Sequence, residues 1–128
     1  VSTLRVDLEP RAGYLYAAAT GEYSLAGART AFSDVLQAAA RYRQARILLD
    51  CTRITGAPTV DDRLQFGMFM AEEQTRLRGQ LPQDPQVAIL AVQPLMDPGR
   101  FTQMVANNRG VRMRASESLQ ELLSWLGV

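Results

Sequence analysis

Two compact apolar runs, Ile47-Leu48-Leu49-Asp50-Cys51 and Val87-Ala88-Ile89-Leu90-Ala91-Val92, constrain this chain more than any other feature. Each is too short for a helix and lacks the polar alternation of a half-exposed strand. Both therefore read as strands buried on two faces, which occur in sheets covered by helices. The sequence around them supplies the helices.

Leu4-Arg5-Val6-Asp7-Leu8 alternates apolar and polar, Pro10-Arg11-Ala12-Gly13 is turn chemistry, and Tyr14 to Thr20 reads as a second strand, so the chain opens on a hairpin. Ser24 caps a first helix carrying Leu25, Ala28, Phe32, Val35, Leu36 and Ala39 at helical spacing, to about Tyr42. After Gly56-Ala57-Pro58, Thr59 caps a second helix with Asp61 and Asp62 in its first turn and Gly79 as its stop; Glu72 and Arg76 have pairing spacing. Asp97-Pro98 reads as the cap and first residue of a third helix, bearing Phe101, Met104 and Val105 and ended by Gly110. Val111 to Ala115 alternates as a last strand. Ser118 and Glu121 have capping-box spacing ahead of a last helix with Leu122, Trp125 and Leu126. The order β-β-α-β-α-β-α-β-α implies a largely parallel five-stranded sheet with right-handed crossovers, and no linker divides residues 1–128 into two domains.

Composition narrows the chemistry. All 14 basic residues are Arg; there is no Lys and no His. Imidazole bases, His-ligated zinc, lysine Schiff bases and phosphate loops with a terminal Lys are thereby excluded. A net charge of +1 gives no broad basic field for nucleic acid. The single cysteine, Cys51, has no internal disulfide partner, which fits a reducing compartment and a cytoplasmic location. Val1-Ser2-Thr3-Leu4-Arg5 lacks the apolar core of a secretion signal, and no apolar run approaches the length of a membrane span. No cofactor or metal is expected.

The element order, the Leu48-Leu49-Asp50 strand end and the capped helix after a short Gly/Pro loop resemble the STAS/SpoIIAA-like superfamily. The Asn107-Asn108-Arg109-Gly110 turn and the closing Trp125-Leu126 bring the chain nearer to the uncharacterised bacterial STAS/SEC14-like proteins within it. The resemblance covers almost the whole chain and rests on the order and spacing of the motifs. It implies a SpoIIAA-like α/β fold and a non-catalytic regulatory or protein-interaction module, with another protein or a second copy (a homodimer) as partner. In the superfamily's anti-sigma-factor antagonists a Ser or Thr at the start of the second helix is phosphorylated by a partner kinase. That position is Thr59 here, within Pro58-Thr59-Val60-Asp61 where the family has Asp-Ser-x-Gly. SEC14-type relatives imply the alternative, a small apolar-ligand or lipid-binding domain; a carboxylate enzyme stands third.

Each candidate residue also has an ordinary structural role. Thr59 is a phospho-acceptor or simply a helix cap. Phe66, Phe69 and Met70 widen the apolar face of the second helix beyond the usual stripe, which suggests a partner surface, a pocket wall or deep burial. Arg109, Arg112 and Arg114 form an anion patch or guard an edge strand. Asp50, Asp61 and Asp62 either meet near a strand's carboxyl end, where acid/base or metal chemistry would be housed, or serve a helix dipole. Cys51 reads as a packed thiol, and Trp125 as an anchor of the last helix.

Overall fold

The computed structural model describes residues 4–128, so the reading of Val1-Ser2-Thr3 lies outside it. The elements are β1 (Arg5–Arg11), β2 (Tyr14–Glu22), α1 (Leu25–Arg41), β3 (Arg46–Thr55), α2 (Val60–Leu77), β4 (Gln86–Leu90), α3 (Phe101–Asn108), β5 (Arg112–Ser116) and α4 (Leu119–Leu126). This is the expected order. The strands lie in chain order across one sheet, with β1 antiparallel to β2 and the rest parallel.

The period-2 geometry of the strands explains why the two central runs are apolar at successive positions. Ile47 and Leu49 of β3, with Val87 of β4, face a layer made by α1, α2 and α3 and pack with Leu36, Met70 and Leu77. Leu48, Ala88 and Leu90 face the other way, against Leu122 and Leu126 of α4. β3 runs four residues beyond Cys51, and its register with β2 slips between Ala18 and Thr20. That irregularity lets Cys51 and Ile54, three residues apart, both line the helix side.

Three caps form where the sequence placed them. The Ser24 hydroxyl accepts from Gly27 N–H at 3.0 Å, Thr59 from Asp62 N–H at 3.0 Å, and Ser118 from Glu121 N–H at 3.1 Å. At Ser118 only half of the expected capping box exists. The Glu121 carboxylate turns instead to Arg114 Nε at 2.9 Å and the Ser116 hydroxyl at 3.1 Å.

Other local expectations are corrected. α3 begins at Phe101, not Pro98, because Arg100 sits in the left-handed region at φ 51° and breaks the helical path. Asp97 still serves the helix from outside, accepting from Phe101 N–H at 3.1 Å. Arg76 pairs with Glu73 at 2.6 Å, not with Glu72, because Glu73 is the buried carboxylate and so the one that needs a cation. Gly79 follows α2 without the left-handed turn of a glycine stop, whereas Gly110, at φ 88°, ends α3 as expected.

Candidate functional site

The start of α2 stands clear of the sheet. Thr59 is exposed and closes a full capping box, its own N–H donating to Asp62 Oδ2 at 3.2 Å. Val60, the next residue, is 72% exposed, unusual for a β-branched aliphatic side chain on an ordered helix. Thr59 thus performs its structural role while remaining accessible at a helix N-terminus, where partial positive charge favours an added anion. Asp61 and Asp62 in the same turn oppose that addition.

Further along α2 the apolar residues divide. Met70 is fully buried among the core residues, so the expectation that it contributes to a partner surface is corrected: it faces the sheet side of the layer. Phe66 and Phe69 are half-buried and meet the Phe32 ring edge-on, with centroids 5.8 and 6.5 Å away. The excess width of the apolar face is therefore spent on an aromatic cluster between α1 and α2.

Phe66 also walls a cavity of about 120 Å³ between the helical layer and the carboxyl ends of β3, β4 and β5. Its interior is almost wholly apolar, with Ala28, Ala31, Phe32, Leu49, Ile89 and Ala115 among its lining. Burial pushes the Cys51 thiol in its wall up to about 12, and pushes Tyr23 on its margin, near Asp62, up to about 12 as well. Arg63 ties the margin together. Its guanidinium donates to the carbonyls of Leu95 at 2.6 Å and Pro94 at 3.0 Å, and lies 3.5 Å from Asp97. Sequence reasoning missed Arg63, and no signal pointed to it, because two of its partners are backbone carbonyls 31 and 32 residues away.

The proposed meeting of Asp50 with Asp61 and Asp62 does not occur. Asp50 shares a sheet face with Leu48, while Asp62 borders the cavity on the opposite face. Asp50 instead accepts from Tyr16 Oη at 2.7 Å and from the Thr52 hydroxyl and amide at 2.7 and 3.1 Å. Burial would raise this carboxyl, but those hydrogen bonds and the nearby Arg53 hold it below the ordinary range. Among the described residues no three His, Cys, Asp or Glu side chains gather as metal ligands.

The three arginines are not one patch either. Arg114 pairs with Glu121, and Arg112 donates to the Asp84 carbonyl. Arg109 is exposed just past α3. β5 is an edge strand paired on one side with β4, and on its outer side the Met113 and Ala115 amides donate to Asn107 Oδ1 at 3.2 Å and Gln103 Oε1 at 2.7 Å. No helix among the described residues is long and apolar enough to cross a membrane.

No family model matches the chain, and no curated protein matches it. Solved structures do. An anti-sigma factor antagonist from Mycobacterium paratuberculosis superposes with a TM-score of 0.60 at 11% identity, over 98% of this chain and 96% of that one. An uncharacterized protein from the DUF3478 family with a SpoIIAA-like fold, from Shewanella loihica, superposes with a TM-score of 0.54 at 18% identity, over 98% and 95%. The chain has a SpoIIAA-like fold, in agreement with its element order.

Proposed function

We propose that the chain is a non-catalytic regulatory module that binds another protein through the start of α2, and that it acts in the cytoplasm. The observation that carries this reading is the pairing of an accessible, capped Thr59 with the 72% exposed Val60 on a chain of SpoIIAA-like fold. An exposed aliphatic side chain beside a modifiable hydroxyl makes a contact whose affinity a phosphate would change sharply. The similarity to an anti-sigma factor antagonist supports the same reading. The half-buried rings of Phe66 and Phe69 lie further along α2, packed on Phe32.

A second copy of the chain is the partner proposed first. Light scattering on the purified chain then gives twice the 14.2 kDa monomer mass, and Val60→Asp returns it to the monomer value. A monomer mass for the unsubstituted chain at high concentration rejects the homodimer. For a different protein as partner, co-isolation from the native host is the measurement. A partner retained by the unsubstituted chain and by Thr59→Ala, but lost from Val60→Asp and Thr59→Glu, supports the reading. Equal retention by all four moves the contact away from α2.

A further inference from the structure

The cavity beneath α2 is built at the place where open α/β sheets hold ligands, outside the carboxyl ends of parallel strands and under the helices that follow them. Three features separate it from a packing defect. Its room comes from small residues on several elements, Ala19 of β2, Ala28 and Ala31 of α1 and Ala115 of β5, rather than from one missing side chain. The irregularity in β3 turns Cys51 and Ile54 to the same side, and such irregularities commonly re-aim side chains beside binding sites. The Arg63 guanidinium, only 11% exposed, fastens α2 to the 94–97 segment at the cavity margin.

We propose that this cavity binds a small uncharged apolar molecule, of the size of a single aromatic ring or a short branched alkyl group, seated against Phe32 and Phe66 behind the Arg63 clasp. The volume sets the size, since apolar cavities of about 150 Å³ hold benzene and stay dry when empty. At about 120 Å³ it is too small for the paired acyl chains of a phospholipid, which narrows the lipid-binding alternative to a much smaller ligand. The lining sets the charge. The ionisable groups bordering the space balance, with Asp62 and Asp97 against Arg63 and Arg100, and Arg63 is already committed to Asp97 and two carbonyls. An anionic ligand would find no uncommitted buried cation, and would face two carboxylates. The cavity also borders Pro58 and Asp62, which flank Thr59, so an occupant touches the base of the proposed contact surface from inside. The ligand site itself does not depend on that reading.

Toluene, titrated into the full chain and followed by amide NMR, tests the proposal. Saturable shifts confined to Phe32, Cys51, Phe66, Ala91 and Met113 are expected, and benzoate, the same ring with a charge, binds at least tenfold more weakly. Ala31→Leu and, separately, Cys51→Leu fill the space and weaken toluene at least tenfold. Shifts that grow linearly and scatter over the surface overturn the site. So does unchanged toluene affinity in both filled variants, or benzoate binding as well as toluene. A phospholipid recovered in equal amount with the chain overturns the size assignment. Because none of these measurements involves a protein partner, they fail or succeed separately from the contact proposed at Val60.

Discussion

The helical layer over the sheet is solid at one end and hollow at the other. Toward the amino ends of the parallel strands, Val35, Leu36, Ile47, Met70, Leu77 and Val87 are each at most 2% exposed. Toward the carboxyl ends the same helices and strands leave about 120 Å³ unfilled. The backbone elements are common to both ends, so the difference lies in side-chain volume. Large aliphatic residues fill the solid end, whereas at the hollow one Ala19, Ala28, Ala31 and Ala115 leave room between Phe32, Leu49 and Phe66. One layer thus separates two tasks, holding the fold together and leaving room.

The largest expected effect tests the solid end. Met70→Ala removes a side chain with no exposed surface and should cost about 2–5 kcal/mol, read from the shift in urea midpoint at constant slope. A cost below about 1 kcal/mol would mean that this end relaxes as a loose core does, and the contrast would fail. Gly67→Ala comes next. A Cβ there would stand 2.7 Å from Val105 Cγ1, where α2 crosses α3. Crowding of this kind costs about 1–3 kcal/mol, and the two helices must separate to relieve it. The hydrogen-exchange protection of α3 should fall with it.

Alanines within one helix sharpen the comparison with smaller changes. Ala38 of α1 is fully buried at the solid end, and Ala31 of the same helix lines the cavity. Valine carries the same helix-propensity penalty at both, so the difference between the two variants isolates the space available. Ala38→Val should destabilise by about 1–3 kcal/mol, while Ala31→Val should change stability by less than about 1 kcal/mol in either direction. Equal costs at the two positions would show that the hollow end closes in solution.

The sequence makes the solid end legible and the hollow end only at one wall, where Phe66 of α2 reads as a candidate pocket lining, for a physical reason. Buried strands and amphipathic helices carry periodic signals, and the caps at Ser24, Thr59 and Ser118 are local bonds between residues three apart. A cavity has no period. It exists because Ala19, Ala31 and Ala115, far apart in the chain, arrive together, and each alone reads as an ordinary small residue. The same limit hid Arg63, whose partners are loop carbonyls. It also leaves the meeting of Asp50 with Asp62 open in the sequence, and strand alternation decides it by sending Asp50 to the opposite face. The sequence leaves Met70 between surface and core, because a wide apolar face on a helix does not say which edge of it touches the core, and the structure buries it.

A hollow end could also arise from a loosely held β3, and the smallest effect tests that cause. Asp50 lies on β3 immediately before Cys51, on the side away from the cavity. If β3 is fixed at Asp50, the bonds from Tyr16 and Thr52 persist in solution and the carboxyl titrates below its ordinary value of 3.8. A carboxyl whose folded pKa is depressed contributes stability that is fully present above its unfolded pKa, near about 4, and is lost as pH falls through the folded value. Asp50→Asn should therefore lower stability slightly at neutral pH and leave the acid limb below that value unchanged, while Tyr16→Phe should move the Asp50 carbon-13 midpoint upward. A midpoint at 3.8 or above in the unsubstituted chain would show these bonds breaking in solution and β3 loosely held beside the cavity wall. A depressed midpoint shows β3 held at Asp50, one residue from the cavity wall at Cys51.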